Sequence, residues 1–183
     1  MDFETPASSG RTTAGYADFI QMSGCKGKID ISGCTFSNPH DDPINVHGTF
    51  NQVVEKIADN KIKVRYMHNE TAGFPNFFVG DQVEFMIKGN MIPVADSVRT
   101  VVAVDGPDGR GGDMGEGSSS LTDIILTFDE AIPSEIAVNQ HVVENITYTP
   151  VVSIKNNIVN HPSSKANGLP ASQTSQPTIS TGV

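Results

Sequence analysis

Tryptophan is absent from the 183-residue chain, leucine occurs only 3 times and cysteine only 2 times. The 12 lysines and arginines are outnumbered by 21 aspartates and glutamates, for a formal net charge of −9. That shortage of positive charge excludes a nucleic-acid binder, which needs a basic footprint. It equally excludes a polybasic membrane-surface protein. No apolar run approaches the ~20 residues that span a bilayer, so membrane insertion is not expected. Residues 2–18 are polar and hold no apolar leader segment. Two cysteines make neither a disulfide framework nor a zinc site. Cys25 and Cys34 share a phrase, Ser23-Gly24-Cys25 and Ser32-Gly33-Cys34, which reads as two small buried residues at turns.

What is present is β-forming. Valine (18) and isoleucine (16) dominate the aliphatic set, and both fit pleated sheets better than helices. Serine, threonine, asparagine and glycine make up 60 of the 183 residues. The fold class is therefore all-β. The length fits one domain, or one domain interrupted by another.

Residues 50–146 alternate in period two. Ile62, Val64 and Tyr66 against Lys61, Lys63 and Arg65 describe a strand with one wet face. Strands are expected at 52–57, 61–67, 82–87, 98–104, 122–128 and 141–146, with a hairpin turn at Asp59-Asn60. Six short strands in about a hundred residues suggest a small barrel or sandwich. The run 106–120 is nearly all Gly, Asp, Ser and Pro and reads as a mobile loop.

The flanks repeat each other. The stretch 28–38 aligns with 151–161, apolar residue for apolar residue, and a third copy begins near Ile179. A period in the low twenties with very short strands marks parallel β-helix coils, each stacked on the next. In this map Lys28–Ser32 lies under Val151–Lys155, and Phe19–Met22 under Ile44–Val46. The middle unit interrupts the coils between Gly48 and Thr149. The divisions are residues 1–48 for the first coils, 49–149 for the inserted unit and 150–183 for the resumed coils. Some two and a half coils is fewer than the ~3 repeats a solenoid generally needs, so the expectation is a piece of a longer protein or a shortened relative.

Chemistry concentrates in His40-Asp41-Asp42-Pro43-Ile44-Asn45-Val46-His47-Gly48. Three readings stand: a turn rich in Asp and Pro, a metal site from His40, Asp41, Asp42 and His47, or a carboxylate catalytic site. Stacking favours the third. Asp18 falls one coil below Asp41 and Asp42, and coils are ~4.8 Å apart. Three carboxyl groups would share one exposed face. Such a set suits glycoside hydrolysis, in which one protonated carboxyl serves the leaving oxygen and another, ionised, activates water. Asn45 and His47 share strand parity and point outward beside the aspartates. The sequons Asn69-Glu70-Thr71 and Asn145-Ile146-Thr147 carry no weight in a bacterial source. The pair Asn156-Asn157 reads as a coil turn whose amides satisfy backbone groups.

The phrases Ala17-Asp18, Cys25 to Ile29, Asp41 to Thr49 and Glu144 to Thr147 resemble glycoside hydrolase family 110, the exo-acting α-1,3-galactosidases. The stretch from Gly73-Phe74 to Phe85 resembles that family's inserted barrel, and Ala131 to Ile136 its return to the helix. The resemblance covers about residues 15–170. It implies a right-handed parallel β-helix interrupted by an antiparallel β-barrel. It implies inverting chemistry with no metal and no cofactor, acting on galactose-terminated glycans, in a secreted or periplasmic parent. Asp18, Asp41 and Asp42 occupy the positions of the family's catalytic aspartates, with Asp41 as general acid and the others holding water. Asn45, His47, Lys165 and Asn167 would contact the sugar. The chain departs from the family at Lys165 to Leu169, where an arginine-containing phrase is expected; Lys165 lacks the planar guanidinium fork and Asn167 lacks charge. Gln21 stands where a histidine would fit. The competing class is a non-catalytic, carbohydrate-binding or structural β-solenoid piece. The oligomeric state is not legible.

Overall fold

The computed structural model describes residues 1–68, 71–72, 74–107, 123–160 and 180–181. Lys165, Asn167, His161, Asn69-Glu70, most of the loop 106–120 and the start of the third repeat lie outside them. In chain order the strands are β1 (Asp2–Phe3), β2 (Gln21–Ser23), β3 (Lys28–Ser32), β4 (Thr35–Ser37), β5 (Asn45–His47), β6 (Phe50–Ala58), β7 (Lys61–Tyr66), β8 (Gln82–Ile87), β9 (Arg99–Asp105), β10 (Asp123–Phe128), β11 (His141–Asn145), β12 (Val151–Lys155), β13 (Ile158–Asn160) and β14 (Ser180–Thr181). Short 3₁₀ turns at Ala7–Ser9 and Ile146–Tyr148 are the only helical pieces among the described residues. Backbone contacts divide the chain into two compact units, Gly48–Thr149 and Met1–His47 with Pro150–Val183.

The unit 48–149 is a closed antiparallel barrel in the order β10-β7-β6-β11-β8-β9, with β9 returning to β10. Its strands form because their apolar residues alternate. Ile62, Val64 and Tyr66 of β7 and Ile124, Leu126 and Phe128 of β10 all face an interior closed to solvent. The intervening Lys63 and Arg65 point outward, where Lys63 pairs with Glu55 and Arg65 with Asp123. Val53, Val83, Phe85, Val101 and Val143 complete the core, with Phe85 and Phe128 packed edge to face. Closure leaves no strand edge in need of a cover. Of the two folds that six alternating strands allow, the chain adopts the barrel.

The loop between β7 and β8 is tied down by buried polar groups. Asp81 Oδ2 accepts from Phe78 N at 2.8 Å and from Asn145 Nδ2 at 2.6 Å. Asn145 Nδ2 also donates to Asn76 O, and its Oδ1 accepts from Thr147 N. Asn145 is buried and fully engaged, so the sequon it heads is a structural device. Tyr66 OH donates to Phe74 O, and burial pushes its phenol up to about 12.

The other unit contains three small sheets, β1-β4-β13, β3-β12 and β2-β5-β14, paired in parallel throughout. Val151 lies beside Lys28 and Lys155 beside Ser32, the register expected from the repeated phrase. Ile29, Ile31, Phe36, Ile44 and Val46 form the core, with Phe3, Phe19 and Phe36 stacked at ring-centroid distances of 5.1 to 6.1 Å. β1 adds to β4, in a stretch that the sequence marks as polar. β14 lies along β5, with Ser180 beside Asn45, and extends the β2-β5 sheet. Cys25 and Cys34 are free and half-buried, each Sγ 3.6 Å from the carbonyl two residues earlier. The glycines before them, Gly24 and Gly33, take φ of +57° and +63°, so the shared phrase encodes a left-handed turn.

Candidate functional site

The site is built on the parallel pair β2-β5. Asp18 lies just before β2, and Asp41-Asp42 just before β5. Gln21 pairs with Asn45, Met22 with Val46 and Ser23 with His47. The same register brings Asp18 under Asp42, 24 residues on. Phe19 N donates to Asp42 O at 3.2 Å and Asn45 N to Ile20 O at 2.8 Å, which fixes both carboxylate-bearing turns to one another. Buried Pro43, Ile44 and Val46 anchor the upper turn in the core. The local sequence therefore does two things at once: alternate residues plug the interior, and those between present polar groups outward.

Asp18, Asp41 and Asp42 each contribute a carboxylate oxygen to a group lying within 4.8 Å of one another. Asp18 is the most constrained. Its Oδ1 accepts from Asp42 N at 3.2 Å and its Oδ2 from Asn45 Nδ2 at 2.9 Å. Asp18 and Asp42 are half-buried and Asp41 is exposed. The set can hold a water or a sugar hydroxyl, and three carboxylates at this spacing could also ligate a hard cation through oxygen.

Of the residues expected to touch substrate, Asn45 is brought into the cluster as the holder of Asp18. His47 stands at the end of the same strand, with its Nε2 3.4 Å from Gln21 Nε2. Gln21 thus occupies the histidine's neighbour position on the adjacent strand β2. Lys165 and Asn167 lie outside the described residues. A residue not anticipated is Tyr16, whose ring stacks on His40 at 5.8 Å between centroids, with planes 10° apart. Its sequence signal is its spacing: Tyr16 precedes His40 by the same offset that separates Asp18 from Asp42. A second acidic pair lies in the barrel unit, where Glu84 of β8 faces Glu144 of β11. Burial first, then the Glu84 charge, pushes Glu144 above the usual carboxylate range.

Comparison with known proteins points one way. Residues 61–108 match the family described as GLAA-B beta-barrel domain II. The chain is 46% identical over 158 residues to the alpha-1,3-galactosidase A of Streptomyces avermitilis, covering 86% of this chain and 24% of that protein. It is 39% identical over 157 residues to the alpha-1,3-galactosidase A of Bacteroides thetaiotaomicron, covering 85% and 25%. It is 32% identical over 146 residues to the alpha-1,3-galactosidase B of Phocaeicola vulgatus, covering 78% and 23%. The chain spans about a quarter of the length of the curated relatives it matches.

Proposed function

We propose that this chain, which is related over most of its length to one segment of the alpha-1,3-galactosidases, carries the catalytic carboxylates of an exo-acting, inverting glycoside hydrolase that removes terminal α-1,3-linked galactose from glycans. The observation that carries the reading is the convergence of Asp18, Asp41 and Asp42 within 4.8 Å on one side of the β2-β5 pair. Parallel pairing in all three small sheets supports coils of a right-handed parallel β-helix, since crossovers between parallel strands are overwhelmingly right-handed. In that architecture residues 1–48 and 150–183 are helix coils and 49–149 an inserted barrel. The parent protein would meet its glycans outside the cytoplasm, secreted or in a periplasm.

The roles follow from freedom and constraint. Asp18 has both oxygens engaged and is held still, which suits a carboxylate that positions a water. Asp42 lies beside it and shares that water. Asp41 is exposed and able to turn toward a glycosidic oxygen, which suits the general acid. Inverting pairs stand ~6.5–9.5 Å apart and retaining pairs ~5–5.5 Å. One oxygen of each carboxylate lies within 4.8 Å of the others, and an outward turn of the exposed Asp41 on binding sugar would widen the room for water. No step calls for a metal or cofactor.

The test grafts this chain into the Streptomyces avermitilis relative in place of the matching segment and follows galactose released from an α-1,3-linked galactobiose. Asp41→Asn should lower turnover of the disaccharide by about 10²–10⁴-fold, and of an aryl galactoside with a good leaving group far less. Asp18→Asn and Asp42→Asn should impair both substrates alike. NMR of the first-formed product should show β-galactose. Full activity in the Asp41 variant would remove the acid from its role, and α-galactose would replace inversion by retention.

A further inference from the structure

Tyr16 is 92% exposed, the highest value among the large apolar and aromatic side chains left open to solvent among the described residues. Its backbone is nevertheless tethered on both sides. Ala14 N donates to Asn38 O at 3.0 Å on one side, and Phe19 N to Asp42 O at 3.2 Å on the other. The backbone around Tyr16 is thus clamped to the neighbouring turn at both ends, in the same register as Asp18 beneath Asp42 and Gln21 beside Asn45. Three rungs follow in order: the ring pair Tyr16–His40, the carboxylates Asp18–Asp42, and the amides Gln21–Asn45. The ring contributes nothing to the core, which is built from Ile29, Ile31, Phe36, Ile44 and Val46. An aromatic surface on a tethered turn, stacked on a neighbouring ring, uncovered and next to a polar cluster matches the composition of small-ligand sites, where rings supply area and a few polar groups fix orientation.

We infer that Tyr16 and His40 form a stacking platform for the sugar on the leaving-group side of the scissile bond. The inference rests on the galactosidase reading of Asp18, Asp41 and Asp42. The chemistry selects the occupant. A hexose has an apolar face of C–H groups and a rim of hydroxyls; the open face of Tyr16, backed by the His40 ring stacked on it, offers a flat apolar surface edged by a phenol and imidazole nitrogens, which donate and accept hydrogen bonds. His40 is the chain neighbour of Asp41, the group assigned to protonate the departing oxygen. The sugar carrying that oxygen therefore lies on the Asp41 side, over the rings, while the galactose being released lies on the Asn45 and His47 side. The platform thus favours a glycan leaving group over a small aglycone.

The test is an NMR titration of the 183-residue chain in an Asp41→Asn background, which keeps the disaccharide intact. The probes are methyl α-galactoside and α-1,3-linked galactobiose. The disaccharide should perturb the Tyr16 and His40 ring signals, and the monosaccharide should not. Tyr16→Ala should weaken disaccharide binding on the order of tenfold and monosaccharide binding less than twofold, whereas Tyr16→Phe should stay near the parent. Equal weakening for both sugars would put galactose itself on the rings and overturn the inference, as would an unchanged disaccharide affinity; in both cases the galactosidase reading survives. Binding of neither sugar by a chain with a folded spectrum would overturn the galactosidase reading and the platform together.

Discussion

A single amide ties two turns of the parallel unit together. Asn157 Oδ1 accepts from Cys34 N at 2.9 Å, and its Nδ2 donates to Ile31 O at 2.9 Å. The residues before the two partners, Gly33 and Asn156, both adopt left-handed backbone, with φ of +63° and +55°. One turn conformation is thus repeated on adjacent levels, with glycine at one level and asparagine at the other, the two residue types that reach this region at least cost. The backbone groups that Asn157 serves are half-buried, and removing the amide strands a donor and an acceptor. Asn157→Ala should therefore destabilise the chain by about 1–3 kcal/mol in urea unfolding, and Asn157→Asp, which keeps the acceptor alone, by less. A change below about 0.5 kcal/mol for alanine, the level of an ordinary surface substitution, would mean that water replaces the amide without loss. This role was legible in the sequence, because adjacent asparagines at a repeat boundary have few other uses. The hydrogen bond from Asn45 to Asp18 was only half legible. Strand parity put Asn45 outward, yet the identity of its partner depends on the β2-β5 register to within one residue.

At the scale of elements, the barrel strands could be read almost to their ends, and their partners could not. β8 occupies the expected residues, β7 differs by one residue at one end, and β10 covers the expected residues from Asp123, the first described there, because period-two alternation is a local property. Which strand neighbours which is set by closure, and alternation says nothing of it. The pairing of β8 with β11 shows the consequence. It sets Glu84 opposite Glu144, two acids 60 residues apart in sequence, on a partly covered face. Like charges directly opposite are destabilising. Burial and the Glu84 charge both disfavour the ionised form of Glu144 and raise its pKa above 4.5. The folded state therefore holds the Glu144 proton more tightly than the unfolded chain does. The corresponding stability is fully present below the unfolded value near 4.5 and is lost as pH rises through the folded value. Glu144→Gln, which cannot ionise, should raise the melting temperature at pH 7 and leave it nearly unchanged at pH 4. Thermal melts of both proteins at the two pH values decide it; a gain of the same size at pH 4 would point to hydrogen bonding in place of charge. The short elements of the other unit were less legible. A two-residue strand such as β1 or β14 carries no periodicity, so only its stacking partner defines it. Tyr16 was missed for the same reason: an aromatic at the end of a polar stretch looks incidental until the register beneath His40 is known.

The whole molecule joins two kinds of β-structure with different demands for company. In the parallel unit each turn rests on its neighbour, and β12 has β3 as its partner among the described residues while Val151 and Ile158 stay open to solvent. In the barrel every strand has two neighbours and the ring closes within residues 48–149. Its core draws on all six strands, and the polar set of half-buried Asn76 with buried Asp81 and Asn145 also lies inside that range. The ring closes, and this polar set pairs, within residues 48–149. About a hundred residues is a common size for an independent domain. The fragment Gly48–Thr149, expressed alone, should therefore fold as a monomer with dispersed amide signals and unfold in one cooperative transition. It should also retain the Tyr66 phenol at about 12, a probe of the intact interior. Spectrophotometric titration of the fragment reads that value directly, because a barrel that opens exposes Tyr66 and returns it to ordinary tyrosine behaviour near 10. A fragment that binds hydrophobic dyes, shows collapsed amide dispersion and titrates as a free phenol would show that the barrel depends on the parallel unit for its closure.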